Sequence, residues 1–263
     1  MMKPTCRRRR FLQAAGASML APMVAPSLRA GFAPAPPSSP VGIARCREYD
    51  PGAILAELEG LMDKLGGLRP LVEGETVAVK VNLVGDVRQG VHGKPANRTD
   101  QVHPAGVLAV AGWDLNALTA TKTPVEFEDT RNLGKRRSYQ EVKVPGGGSL
   151  FPAYHISRAY HDCDVYVSLG KLKNHFTAGV TLGMKNNFGV TPIALYGQRE
   201  HKEDSTSSRA MFHSGEEGPA EGVPQELSKT TPRRPSYRVP RHILDAVGIR
   251  PIDLVILDGI EST

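Results

Sequence analysis

Cationic and hydroxyl side chains are concentrated in the segment 171–186, directly after a short apolar run. The run, Val165–Leu169, has the β-branched and aromatic composition of a buried strand, and Gly170 ends it. Seven side chains of the segment are able to bind an anion or move a proton: Lys171, Lys173, His175, Thr177, Thr181, Lys185 and Asn186. Ligands of open α/β sheets bind at the carboxyl ends of strands, so the pattern predicts a site for phosphate, carboxylate or a nucleotide tail.

Two interpretations of this segment are open. In the first, the lysines bind a charged ligand, His175 transfers a proton as the catalytic residue, and Thr177, Thr181 and Asn186 orient the ligand. In the second, the segment is a basic loop that faces water, which is the ordinary outcome for a run of charges. The glycines interleaved with the polar residues allow close approach of a backbone to a ligand and bring the two interpretations to equal weight.

A second strand carries polar residues where apolar ones are expected. The sequence V-A-V-K-V-N-L ends the run Thr76–Leu83 and contains Lys80 and Asn82. A lysine in such a strand either faces solvent at a sheet edge or points into a site. Inside a site, Lys80 would contact an anion or act as a catalytic base after losing its charge, with Asn82 as a ligand-binding neighbour.

Two carboxylates follow a third strand, Leu254–Leu257. Asp258 and Glu261 lie just past its carboxyl end, where they are able to ligate a divalent metal. The sequence does not identify any other cofactor. His103, before an apolar helix, and Asp129 are weaker candidates for polar contacts in a site.

These strings resemble a known family. The sequence G-K-L-K-N-H-F-T-A-G-V-T-L-G-M-K-N-N-F-G, from residue 170 to 189, is similar to the signature of the DUF362 family. Val77–Leu83 resembles the early strand of that family, and Asp253–Asp258 resembles its late strand. The resemblance extends from Val41 to the C-terminus, and it favours the site interpretation of Lys80 and Asn82.

The resemblance implies a family but no settled reaction. Some members carry an added iron–sulfur module, so it suggests an iron–sulfur or redox partner. Relatives also have a longer helix and another strand after the region of His103, and more chain after Asp258. The resemblance therefore leaves open an α/β sheet that is incomplete at the C-terminus, and with it an incomplete site.

The N-terminal residues 1–30 have the pattern of an export signal. Arg8-Arg9-x-Phe11-Leu12 resembles the twin-arginine motif, and a modest apolar stretch with a small-residue end follows it. Residues 31–40, rich in proline, alanine and serine, form a predicted linker. We therefore expect the twin-arginine machinery as a partner and a periplasmic or secreted location, or a membrane anchor if the signal stays uncut.

Charge and cysteine content exclude two classes of function: nucleic-acid binding, and an iron–sulfur cluster held by this chain alone. The formal net charge is +6, but several arginines lie in the signal, and no basic stripe with interleaved aromatics indicates nucleic-acid binding. Cys6 lies in the predicted signal, and Cys46 and Cys163 show no C-x-x-C spacing. An iron–sulfur cluster cannot form from this chain alone. Cys46 and Cys163 are either buried as small apolar groups or paired with each other.

The predicted fold class is α/β, a mostly parallel sheet with helices on both faces, within one domain, 41–263. The sequence predicts a βαβ unit that consists of a strand at Val41–Arg45, a helix starting at Pro51 and a strand at Thr76–Leu83. Tyr154–Ala159 reads as a short helix, and Arg238–Val247 reads as another. Residues 198–237 lack apolar periodicity and are predicted to be a flexible insertion, either a lid or a disordered segment.

Several catalytic motifs are absent from the sequence. It contains no G-x-G-x-x-G after the first strand, no G-x-x-x-x-G-K-[ST] and no G-x-S-x-G. Two main hypotheses remain: an exported enzyme that acts on an anionic small molecule or cofactor, and a protein that binds such a ligand without turnover. A third is an inactive, truncated family member.

Overall fold

The structure is a computed structural model of the chain. It describes residues 39–82, 90–91, 94–95, 114–128, 138–175, 177–197, 209–214, 218–219, 221–227 and 237–260. These residues fall into two compact units. The described part of the first is 39–46 and 50–70, and that of the second is 47–49 and the residues from 71 onward.

The elements are named in chain order. The helices are α1 (Pro51–Lys64), α2 (Arg69–Val72), α3 (Leu115–Thr119), α4 (Arg158–Asp162), α5 (Gly183–Asn186), α6 (Ile193–Tyr196), α7 (Ala210–Ser214) and α8 (Arg238–Ile249). The strands are β1 (Val77–Lys80), β2 (Gly90–Val91), β3 (Lys94–Pro95), β4 (Tyr139–Lys143), β5 (Ala153–Ser157), β6 (Val165–Lys171), β7 (Lys173–His175), β8 (Gly179–Thr181) and β9 (Leu254–Asp258). None of the helices in the described ranges is long and apolar enough to cross a bilayer.

The first unit is built on α1. The Asp50 side chain caps the helix by accepting from the Ala53 amide at 2.8 Å, and Pro51 takes the first helical position. Gly66 and Gly67 end it with φ of 100° and 86°. The strand predicted at Val41–Arg45 is wrong: these residues form no strand, and the Val41 side chain is 82% exposed.

The second unit contains a parallel sheet of three strands in the order β1-β6-β9. Lys80 lies opposite Ser168, and Lys171 lies opposite Asp258. The central strand β6 is almost wholly buried, as its apolar run predicts. The predicted α/β class with a parallel sheet is therefore confirmed, and the carboxyl ends of all three strands meet at one edge.

An antiparallel hairpin, β4–β5, lies apart from the parallel sheet in the pairing pattern. Its connection passes through Pro145–Gly147 and then Gly148. A Cβ added to Gly148 would lie 2.1 Å from the Phe151 carbonyl oxygen. The helix predicted at Tyr154–Ala159 is wrong over its first part. Residues 153–157 form β5 because the buried Tyr154 and Ile156 alternate with the half-buried His155, and the helix α4 begins only at Arg158.

The core of the second unit is aromatic. Phe212 stacks on His242 with ring centroids 4.0 Å apart, and Phe151, Phe188 and Tyr196 surround this pair. Met211 and Phe212, which are fully buried, come from the range 198–237 predicted as a flexible insertion. A buried ion pair between Arg238 and Glu226, 3.0 Å long, ties another part of that range to α8.

In the part of the chain that the structure describes, no disulfide joins Cys46 to Cys163. Cys163 is buried, and its Sγ donates to the Tyr160 carbonyl at 3.3 Å. Burial raises the pKa of the Cys163 thiol above its ordinary value. This thiol is therefore a packed core group, as the first of the two sequence interpretations states.

Candidate functional site: a cationic cluster at the sheet edge

Asn186 joins the strand ends to the segment that follows them. Its Nδ2 lies 2.9 Å from the Lys80 carbonyl oxygen, 3.0 Å from Ser168 Oγ and 3.2 Å from the Leu169 carbonyl oxygen. Its Oδ1 lies 3.5 Å from Lys80 Nζ. The amide of Asn186 therefore fixes the ends of β1 and β6 against α5 and orients the Lys80 side chain.

Lys80 projects from the end of β1 into a confined position. Its Nζ donates to the Val81 carbonyl at 2.6 Å, in addition to its contact with Asn186. A Cβ added to Gly189 would lie 2.7 Å from Lys80 Cε and 3.1 Å from Nζ, so a larger residue there would displace the end of the Lys80 side chain. Burial, followed by the charges of Arg209 and Lys185, lowers the pKa of Lys80 to about 7.

Lys80 belongs to a group of basic side chains. We call this group the cationic cluster, and its members are Lys80, Lys173, His175, Lys185, Arg209 and His213. Burial, then Arg209 and Lys173, lower the pKa of Lys185 to about 8, and burial, then Lys171, lower the pKa of Lys173. In the described ranges none of these three lysines has a carboxylate partner. Lys185 instead lies over the Phe188 ring, 4.1 Å from its centroid.

Arg209 is a member that the sequence did not reveal. Its Nε donates to the Thr191 carbonyl, and its Nη2 donates to the Gly189 carbonyl at 2.8 Å, which fixes the guanidinium beside Lys80. It lies in the range predicted as an insertion, where no apolar periodicity indicates structure. The apolar triplet Ala210–Phe212 directly after it was the available signal, since two of these residues fill the core.

The ring of His175 is held in one tautomer. Its Nδ1 accepts from the backbone amides of Thr177 at 3.3 Å and Ala178 at 3.1 Å. Backbone amides only donate, so Nδ1 carries no proton and Nε2 carries it. Burial, then Lys185, His213 and Lys173, lower the pKa of His175, so the neutral ring presents an Nε2–H donor.

His213 is held in the opposite tautomer. Its Nδ1 lies 3.2 Å from the Arg209 carbonyl oxygen, which only accepts, so Nδ1 carries the proton and Nε2 carries a lone pair. Burial is the main cause that lowers the pKa of His213. The two imidazoles lie with ring centroids 6.0 Å apart. His213 lies in the range 198–237, for which the sequence predicts a flexible insertion.

Lys171, also predicted to bind a ligand, has protein partners. Its Nζ donates to Asp258 Oδ2 at 2.7 Å and to Tyr49 Oη, and Tyr49 Oη lies 2.9 Å from the same carboxylate oxygen. Burial alone would lower the pKa of Lys171, but the hydrogen bonds to Asp258 and Tyr49 outweigh it and raise the pKa. Lys171 is therefore charged and neutralised within the protein.

The predicted metal ligands are only partly visible. Asp258 is engaged by Lys171 and by the Ile260 amide at 3.0 Å, and Glu261 lies outside the described residues. In the part of the chain that the structure describes, no three His, Cys, Asp or Glu side chains come together as a metal site. Metal binding by Asp258 and Glu261 stays a prediction.

The remaining predicted residues take varied positions. Thr177 contacts His175 Nδ1 through its hydroxyl at 3.0 Å and therefore orients the imidazole. Thr181 is buried, and its hydroxyl has no hydrogen-bond partner in the described ranges. Asn82 is half-buried, two residues after the end of β1. His103 and Asp129 lie outside the described residues.

Comparison with known proteins identifies the family. The DUF362 model, described as a domain of unknown function, matches residues 116–263, more than half of the chain. The chain belongs to the DUF362 family. Every member of the cationic cluster except Lys80 lies inside the range that this DUF362 model matches.

A curated relative of this DUF362 protein comes from a cyanobacterium. It is Thylakoid-associated protein sll1697 of Synechocystis sp., 29% identical over 169 residues. The alignment covers 58% of this chain and 50% of the relative, so the chain spans about half the length of that protein. No solved structure matches the chain.

Proposed function

We propose that this DUF362 protein is an exported enzyme that binds and acts on an anionic small molecule at the cationic cluster. The observation that carries the proposal is the convergence of three lysines, an arginine and two histidines at the carboxyl edge of a parallel sheet. Burial, and after it repulsion from neighbouring cations, lowers the pKa values of Lys80, Lys173 and Lys185. A carboxylate or phosphate bound there relieves this repulsion.

The two histidines favour an enzyme over a protein that only binds. His175 presents an N–H donor and His213 presents a lone pair, and their lowered pKa values keep both rings neutral near pH 7. A hydrogen-bond donor and a base held side by side at an anion site suit removal of a proton from the ligand by His213. If the site only neutralised the charge of a bound anion, lysine and arginine would be sufficient.

The test measures ligand-induced stabilisation. Thermal unfolding of the wild-type protein is followed with phosphate, sulfate, oxalate, citrate and pyruvate, each against chloride at equal ionic strength. We expect at least one anion to raise the midpoint in the wild type and in Lys143→Met, which removes an exposed lysine of β4. The Lys185→Met variant should lose that response. Equal responses of Lys185→Met and Lys143→Met would overturn the proposed site.

Turnover distinguishes the enzyme from the binding protein once a stabilising anion is known. A His213→Gln variant should retain the stabilisation by that anion and lose solvent-hydrogen exchange into it, measured by NMR in D₂O. A His213→Gln variant that exchanges as fast as the wild type, or a wild type that never exchanges, would contradict the catalytic half of the proposal.

Export is proposed from the arginine pair alone. An Arg8→Lys/Arg9→Lys variant should accumulate in the cytoplasm, while the wild type should reach the periplasm or the medium. Cell fractionation with the Arg7→Lys variant as a control measures this. Unchanged distribution of the double variant would remove the twin-arginine route.

A further inference from the structure

We propose that Lys80 is a reactive amine that forms an imine with a carbonyl compound carrying a carboxylate or phosphate group. This proposal rests on the proposed function, because the same cationic cluster would bind the anionic group. It goes further by naming the substrate class and the atom that bonds to it. The argument begins with the hydrogen bonds that Lys80 makes.

Lys80 Nζ has two acceptors in the described ranges, and both are neutral. They are the Val81 carbonyl oxygen at 2.6 Å and Asn186 Oδ1 at 3.5 Å. A neutral amine has two N–H bonds and one lone pair. When the two N–H bonds point to these two oxygens, the lone pair points away from both. The pair of acceptors therefore suits the nucleophilic form of the side chain.

The surroundings hold this amine in place and disfavour its charge. Asn186 is fixed by three further polar contacts with the backbone and Ser168, so its Oδ1 does not simply follow the amine. Gly189 closes over Lys80 Cε, and the Gly189 carbonyl holds Arg209. The positive charges of Arg209 and Lys185 lower the pKa of Lys80 further than burial alone, which supports the same conclusion.

The same cations define the substrate. Arg209, Lys185 and Lys173 provide positive charge beside the amine, so a carbonyl compound with an anionic group would be held with its carbonyl near Lys80. The amine nitrogen attacks the carbonyl carbon, and a C=N double bond replaces the C=O double bond. The oxygen leaves as water with two protons, and no oxidant or reductant is needed. The 2-oxo carboxylates are the simplest class with both groups.

The experiment traps the imine in the wild-type protein. The protein is incubated at pH 7 with pyruvate and sodium cyanoborohydride, which reduces an imine to a stable secondary amine, and the adduct is located by peptide mass spectrometry. Hydroxyacetone, a neutral carbonyl compound of similar size, is the matched probe. Lys143, an exposed lysine, is the internal reference and requires no variant to fold.

We expect labelling at Lys80 to be about 10- to 100-fold faster than at Lys143 with pyruvate, because an amine with a pKa near 7 is largely neutral at pH 7. The preference should fall with hydroxyacetone and disappear in Lys80→Arg. Labelling spread evenly over the lysines, or an equal rate with both probes, would overturn the proposal. If pyruvate stabilises the protein without labelling Lys80, imine formation fails and anion binding stands.

Discussion

Lys171 and Lys173 are two residues apart in sequence and belong to opposite kinds of environment. Lys171 meets Asp258 and Tyr49, and these hydrogen bonds raise its pKa although burial opposes them. Lys173 has no carboxylate partner in the described ranges, and burial together with Lys171 lowers its pKa. The comparison shows that a carboxylate supplied from another strand separates a structural lysine from a candidate ligand-binding lysine.

Two arginines of the second unit are held by different acceptors in the contacts that the structure describes. Arg238 is buried and binds Glu226 at 3.0 Å, whereas the hydrogen bonds that hold Arg209 beside Lys80 go to the neutral carbonyls of Thr191 and Gly189. A buried cation with a carboxylate stabilises the native fold only while that carboxylate is present. Lys80, Lys173 and Lys185, which have no carboxylate partner in the described ranges, lower the stability of the protein instead. Both consequences can be measured.

The largest expected effect comes from removing a partner of a buried cation. Glu226→Gln leaves Arg238 buried without its carboxylate and should lower the free energy of unfolding by about 3 to 5 kcal/mol. Chemical denaturation at pH 7 measures this change. Glu57→Gln, on an exposed position of α1, is the matched control and should change stability by less than about 0.5 kcal/mol. A loss for Glu226→Gln no larger than for Glu57→Gln would remove the contrast.

Removing a lysine that has no carboxylate partner in the described ranges should change the free energy of unfolding in the opposite direction. Lys80→Met should raise the free energy of unfolding at pH 7 by about 1 to 3 kcal/mol, because relief of a buried charge exceeds the loss of its two hydrogen bonds. Denaturant unfolding against Lys143→Met tests this.

The pH dependence gives a second measurement of the same variant. The folded pKa of Lys80, about 7, lies below the ordinary lysine value of 10.5, so the unfolded chain binds more protons between these values. Wild-type stability should therefore rise from about pH 7 upward, with a further contribution from Lys185 above about pH 8. The Lys80→Met variant should lose the part of this stability increase that begins near pH 7. A variant that is less stable than the wild type at pH 7 and keeps the full rise would contradict the assignment.

The sequence predicts those parts of this site that depend on local pattern. The apolar run before Gly170 predicts β6, and its parallel neighbours place Lys80 and Lys173 at the same edge. The segment around Tyr154 has an alternating, period-2 pattern that fits a strand. A short apolar segment also fits the helical period, and for this reason the helix predicted there is wrong over its first part. Val41–Arg45 has strand composition but lacks the burial that a strand would give it.

Long-range contacts explain what sequence reasoning missed. Lys171 and Lys173 look alike in sequence, and only the pairing of β6 with β9 brings Asp258 to one of them. Arg209 and His213 lie in a polar segment whose anchors, Met211 and Phe212, are too few to produce a periodic signal. The tautomers of the two histidines depend on carbonyl and amide groups that the side-chain sequence does not encode.

Removing the carboxylate of Asp258 should convert Lys171 into a lysine of the second kind. Asp258→Asn keeps the shape of the side chain and should lower the pKa of Lys171, because burial then acts with less opposition. The cost in stability should be about 0.5 to 1 kcal/mol, since both side chains are about one-third exposed. Site-resolved reductive methylation at pH 9 measures the pKa change, and the Lys171 rate should rise relative to Lys143. An unchanged relative rate would show that Asp258 does not hold the charge.

The smallest effect, and the most specific to this site, concerns the two imidazoles. Long-range ¹H–¹⁵N correlation spectra at pH 7.5 should show a protonated Nε2 for His175 and a protonated Nδ1 for His213. Addition of a stabilising anion should raise both pKa values, because the bound negative charge opposes the lowering by Lys185. His161, whose Nδ1 lies 2.8 Å from Asp162, is the reference imidazole and should not respond to the anion. Identical tautomers for His175 and His213 would leave no N–H donor beside a lone pair, and the cluster would then be a site for binding without proton transfer.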